Sequence, residues 1–135
     1  MEGYLNAKTI QKYKDKSISD LKKIATRHFN EFIRERDKDK GCVSCGARVV
    51  EAGHFYSGGH YPPLKFNENN VHGQCKRCNG FLSGNLNEYR KRITQRITED
   101  ELKELDFISE DYQRNGYKWD RFYLIEIIEK YKWKQ

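Results

Sequence analysis

Two short cysteine pairs, Cys42-Val43-Ser44-Cys45 and Cys75-Lys76-Arg77-Cys78, constrain this chain more than any other feature in it. Two intervening residues let both thiolates of a pair face one ion, and two such pairs close a tetrahedral four-cysteine zinc site. With four sulfur ligands no coordination position remains for water or substrate, so such an ion is structural and contributes folding free energy. The rival readings are a disulfide framework, against which the absent secretory signal argues, and thioredoxin-like redox chemistry, which needs a βαβ context not visible here.

The rest of the chain is lean. Its 135 residues suit one domain, read as an N-terminal helical segment (1–40), a zinc-stapled middle (41–97) and a C-terminal helical segment (98–135). Only 36% of residues are hydrophobic, but nine Tyr, seven Phe and two Trp supply large side chains for a core. No run approaches 18 consecutive apolar residues, and Met1 to Ile10 has neither a basic n-region nor an apolar h-region. Membrane and secretory readings drop out, and the cytoplasm is the expected location.

Charge is distributed unevenly. The net charge of +6 suggests a polyanionic partner, and residues 76–96 concentrate it, with six basic groups against one acidic. Residues 97–111 reverse the sign, with one basic group and seven acidic, which reads as a solvated helix face.

Periodicity fills in the elements. Ile18, Leu21, Ile24, Ala25, Phe29, Phe32 and Ile33 recur at three- and four-residue spacing, so a helix is expected over Ser17–Arg36, capped by Ser17. His28, close to that stripe, reads as structural. From Gly41 to Leu82 short apolar pieces are broken by glycines and by Pro62 and Pro63, which favours short strands and turns. Helical signals return at Ser83. Thr98 with Glu101 forms a capping box, and a last helix is expected from Asp120.

Chemistry-bearing residues lie inside and beside the cysteine loop. A His at a strand end, an Asn in the following loop and a polar residue opening a helix are the parts of a one-metal nuclease. His54 is the candidate base that deprotonates a water for in-line attack on phosphorus, and Asn70 is the candidate for orienting its ring. Asn79, directly after Cys78, is the candidate ligand for Mg²⁺ or Mn²⁺, with Glu51 as a further candidate. Each also has a bland reading: Asn70 as a turn residue, Asn79 as a helix cap and Glu51 as an exposed strand carboxylate. His60 and His72 compete with His54 for the catalytic role.

The run Phe32-Ile33-Arg34-Glu35-Arg36-Asp37, then Cys42-Val43-Ser44-Cys45-Gly46, Ala52-Gly53-His54, Lys65 to His72, Gln74-Cys75, Cys78-Asn79 and Ser83-Gly84-Asn85 with Tyr89-Arg90 resembles the phage NinG recombination proteins, also called Rap. The resemblance covers roughly residues 28–97. It implies an α+β fold with a ββα-metal, HNH-like (His-Me finger) core stapled by a four-cysteine zinc site and flanked by N- and C-terminal helices. It also implies an endonuclease that cuts branched DNA, such as Holliday junctions and D-loops, in phage recombination. The four-cysteine frame followed at once by Asn79 is similar to endonuclease VII-type junction resolvases, whose helix Asn holds Mg²⁺. Glu51-Ala52-Gly53-His54 is similar to the Asp-Arg-Gly-His element of nonspecific ββα-metal nucleases, in which the His is the base. One departure stands out: many HNH enzymes have a metal-binding Asp or His directly before the base, where this chain has Gly53. Longer NinG proteins also carry a basic, cysteine-containing N-terminal extension.

Phosphate contacts are expected from Lys76, Arg77, Arg90, Arg92 and Arg96, since sequence-independent affinity suits recognition of DNA shape. Symmetric cutting of a junction needs two active sites, so a homodimer is expected; Trp119, Phe122, Tyr123 and Trp133 read either as its interface or as part of the monomer core. Neither a membrane nor a small-molecule substrate is expected. Two other readings stay open: a zinc-ribbon DNA-binding module without catalysis, and an HNH nuclease without branch preference.

Overall fold

In the computed structural model, residues 5–133 are described. The chain divides into two compact units, one formed by the residues up to Phe32 together with those from Lys118 onward, the other by Ile33–Tyr117.

In the first unit, α1 (Ala7–Lys12) opens on Asn6, whose side chain accepts from the Thr9 amide. The periodicity did not reveal it: six residues with none buried leave no apolar stripe to read. The long helix α2 (Ile18–Asp37) starts where expected, with Ser17 Oγ accepting from the Asp20 amide at 3.0 Å, and runs on into the second unit. Leu21, Ala25 and Phe29 are fully buried along its predicted stripe. The last helix, α5 (Arg121–Tyr131), begins at Asp120, whose side chain caps the Phe122 amide. It buries Leu124, Ile125, Ile128 and Tyr131, and the Tyr131 ring meets Phe29 edge-on at 4.9 Å.

The second unit holds the cysteines. Strands β1 (Glu51–His54) and β2 (Val71–Gln74) pair antiparallel, with Glu51 opposite Gln74, Gly53 opposite His72 and His54 opposite Val71. A single π-helical turn, Arg77–Phe81, follows β2. The chain then passes through three consecutive left-handed residues, Ser83, Gly84 and Asn85, before α3 (Leu86–Arg92). Ser83 and Asn85 hold this conformation without being glycine, which costs energy that surrounding contacts must offset. Asn79 therefore sits within the π-helical turn, and the helix expected from Ser83 starts at Leu86. The capping box of α4 (Glu99–Asn115) is complete, with Thr98 Oγ1 accepting from the Glu101 amide and Glu101 accepting from the Thr98 amide.

Val43, Phe55, Leu64, Tyr89, Ile93, Ile97 and Leu105 form the core of this unit, so a knuckle residue, the chain after β1 and α3 share one packed interior. Among the described residues no helix is long and apolar enough to cross a membrane.

Candidate functional site

The four cysteine sulfurs lie within 4.8 Å of one another. A tetrahedral ion with Zn–S bonds of about 2.3 Å holds its sulfurs roughly 3.8 Å apart, and Cys45 and Cys75 Sγ stand at 3.6 Å. The donor set and its spacing fit zinc. Groups around the cluster point hydrogen-bond donors at sulfur: the Cys78 amide at Cys75 Sγ (3.4 Å) and Asn85 Nδ2 at Cys78 Sγ (3.5 Å).

The cluster is tied to the sheet by buried bonds. The Val43 amide donates to the Gly73 carbonyl at 3.0 Å. Gln74, fully buried, donates from Nε2 to Ser44 Oγ and to the Gly84 carbonyl, both at 2.8 Å. A carbonyl can only accept, so this bond fixes which way the Gln74 amide faces. Its Oε1 is turned onto Gly53 and is buried without a hydrogen-bond partner. A β-carbon at Gly53 would overlap this amide. The absence of a side chain directly before His54 thus has a physical reason: the Gln74 amide fills the space that such a side chain would occupy.

His54 ends β1, and its Nε2 lies 2.8 Å from the Lys65 carbonyl oxygen. Because that oxygen can only accept, Nε2 carries the proton and Nδ1 keeps its lone pair in the neutral ring. Burial lowers the His54 pKa below the usual histidine value, opposed by the bond to Lys65. The ring is therefore held neutral, in one tautomer, with a basic nitrogen.

Asn70 directs its hydrogen bonds elsewhere than to that ring. The side chain, expected to orient His54, is completely buried and accepts from the Tyr56 amide while donating to the carbonyls of Tyr56 and Leu64. It locks the loop between the strands, and the Lys65 carbonyl of that loop orients His54. Any influence of Asn70 on the His54 ring is through the backbone.

Glu51 and Asn79 are brought together, with Asn79 Nδ2 donating to Glu51 Oε1 at 2.9 Å. Strand alternation puts Glu51 and His54, three residues apart, on opposite faces of β1. The pair offers two hard oxygen donors, a carboxylate and the Asn79 Oδ1, a set suited to Mg²⁺ or Mn²⁺ with water completing the shell.

His72 is no competitor for the base. It is buried, its Nε2 donates to the Asn69 carbonyl at 2.8 Å, and Arg36 Nη2 faces its Nδ1 at 3.3 Å. Burial drives its pKa down to about 4. It belongs to a buried polar group that the sequence did not announce: Asp37 takes two bonds from Arg36 (2.7 and 2.9 Å) and one from the Gly73 amide (2.8 Å). Burial alone would raise the Asp37 pKa, but the Arg36 guanidinium and the Gly73 amide hold it at about 2. This fixes the end of α2 onto β2. His60 is exposed, with Nδ1 2.8 Å from Ser57 Oγ in a surface turn.

The expected DNA-binding cations divide. Lys76 and Arg77 are exposed on the turn that carries Asn79, and Arg92 is half-buried. Arg90 remains half-exposed but pairs with Asp106 at 2.8 Å and lies over the Phe55 ring. Arg96 does not belong with them. Its side chain is 14% exposed, donates to the Lys40 and Gly41 carbonyls and approaches Asp37, so it braces the approach to the first cysteine pair. A cleft of about 990 Å³ opens beside the residues after His54, walled by Phe55, Tyr56, His60, Tyr61, Arg90 and Lys91.

A four-cysteine cluster bonded to a two-stranded sheet, with a neutral His at the strand end, defines a small α+β protein built around a cysteine knuckle whose donor set fits a metal ion. The chain belongs to the NinG family, matching the family described as Bacteriophage Lambda NinG protein over residues 5–135. It is 39% identical over 100 residues to protein ninG of Escherichia phage lambda and 40% identical over 100 residues to protein ninG of Salmonella phage P22. Each match covers 72% of this chain and 47% of the relative, so the aligned region spans about half the length of these relatives. No solved structure shows a significant match.

Proposed function

We propose that this chain is a divalent-metal-dependent DNA endonuclease of the HNH-like ββα-metal type, acting on branched DNA such as Holliday junctions and D-loops. The observation that carries this reading is the His54 ring, anchored through Nε2 on Lys65 with Nδ1 left basic, at the end of the strand that bears the Glu51–Asn79 pair. His54 Nδ1 takes the proton of the attacking water. Asn79 and Glu51 would hold a divalent cation, which would supply charge neutralisation at the leaving oxygen. A zinc held by the four cysteines would shape the site and take no part in the chemistry.

Lys76 and Arg77 supply phosphate contacts without base readout, which favours recognition by shape. Cutting both strands of a junction calls for two copies of the site, hence a homodimer on DNA.

The test is cleavage of a labelled four-way junction and of a matched linear duplex, with Mg²⁺ or EDTA, by the wild type and His54→Ala. Mg²⁺-dependent cutting that prefers the junction and is lost in the variant is expected. Equal cutting of both substrates would refute the branch preference. Binding without cutting, unchanged by the substitution, would leave a DNA-binding module.

A further inference from the structure

The most exposed large apolar side chain among the described residues is Phe81, at 85%, followed in the chain by Leu82 at 37%. Both stand where the turn bearing Asn79 meets the left-handed residues Ser83–Asn85. An exposed phenylalanine on a loose loop means little. Here the backbone is fixed: the Gly84 amide donates to the Cys78 carbonyl at 2.7 Å, the Gly84 carbonyl accepts from buried Gln74, and Asn85 reaches Cys78 Sγ. Buried bonds around the cysteine cluster and two strained residues thus hold Phe81 and Leu82 out in solvent.

Charge names what would cover them. From Cys75 to Asn87 the chain carries Lys76 and Arg77 and no carboxylate. Both cations are exposed. A protein or second copy docking on the apolar tip would have to bring a separate acidic surface to the flanking cations, whereas a polyanion with apolar faces satisfies both features in one ligand. Bases are such faces, and at a branch point they are already partly unstacked, so inserting a side chain there costs least.

We propose that Phe81, backed by Leu82, is a wedge that stacks on an unpaired or unstacked base at the branch, setting the preference for branched over linear DNA. The inference rests on the nuclease reading above and deepens it. Phe81 touches no reacting atom; it is a specificity-determining residue, and Lys76 and Arg77 seat the flanking phosphates.

The experiment uses the full chain with Phe81→Ala and Phe81→Tyr, on a four-way junction and a matched duplex carrying 2-aminopurine at the branch-flanking position. Binding is measured in Ca²⁺ and cutting in Mg²⁺. Wild type and Phe81→Tyr should raise 2-aminopurine fluorescence on the junction. Phe81→Ala should abolish that rise and weaken junction affinity about tenfold, with duplex affinity unchanged. Because the side chain is exposed, circular dichroism should be the same for all three. Equal junction affinity and equal fluorescence for wild type and Phe81→Ala, with cutting intact, would overturn the wedge and leave the nuclease reading standing. Loss of self-association in Phe81→Ala without any DNA effect would overturn it too and assign the tip to a contact between copies. A wild type that binds neither DNA would overturn both readings.

Discussion

The Lys65 carbonyl oxygen sits 2.8 Å from His54 Nε2, so a backbone atom eleven residues along the chain decides which nitrogen of the ring carries the proton. A carbonyl at this place cannot be removed by changing the Lys65 side chain. Lys65→Ala should therefore leave the cutting rate within about twofold, while His54→Ala should lower it by at least about a hundredfold.

The pH dependence follows from the neutral ring. A base must be unprotonated to act, and burial lowers the His54 pKa below the ordinary value of about 6.5. The acidic limb of the pH–rate profile for cleavage should thus fall on the acid side of pH 6.5, leaving full activity at neutral pH. A limb above about pH 7 would contradict a buried neutral His54.

Stability should fall with acid through a different histidine. His72 has its pKa lowered from 6.5 to about 4, so the unfolded chain binds its proton at higher pH than the folded one. The stability it contributes is complete above about pH 6.5 and is lost as pH falls towards 4, a change on the order of 3 kcal/mol. Denaturant unfolding of His72→Gln should show a shallower slope over that window than the wild type. Asp37, held at about 2, adds its own loss only below about pH 4.

Removing the metal should unfold the second unit. Structural zinc contributes roughly 10 kcal/mol or more to small domains, as much as the whole stability of a domain of this size. The purified protein should contain one zinc per chain by mass spectrometry. Chelation or Cys42→Ser should abolish the near-ultraviolet circular dichroism contributed by Phe55, Tyr56 and Tyr89, which pack together.

Gly53 and Gln74 should be coupled. Gly53→Ala drives a methyl group into the buried Gln74 amide and should destabilise the protein by about 1–3 kcal/mol. Gln74→Ala removes the obstacle, so the double variant should be more stable than the sum of the two single effects predicts. Additive losses, measured by denaturant unfolding, would show that the two side chains do not compete for the same space.

What could be read from the sequence is what short-range chemistry writes there. The cysteine spacing, the stripe on α2, the Thr98–Glu101 capping box and the Asp120 cap each depend on neighbours two to four residues away, and each is found in place. What escaped depends on contacts across the chain. Arg36 and Asp37 look like the charged end of a helix, and only the fold brings them to Gly73 and His72. Arg96 has the same sequence context as its basic neighbours, and its role is set by two carbonyls more than fifty residues away. Gly53 and Asn70 were both noticed, but the space taken by Gln74 and the loop carbonyls that Asn70 gathers exist only after β1 and β2 have paired.

Gln74 joins Ser44 of the first cysteine pair to Gly84 beyond the second, and leans on the glycine that precedes His54. The consequence is an order of assembly. Until the four thiols have closed, nothing brings Ser44 and Gly84 to the same amide, and the strand that carries the base has no fixed partner surface. On the nuclease reading proposed above, a freshly synthesised copy would stay inert towards DNA until it had captured its ion, so ion supply as well as translation would cap how much working protein a cell contains.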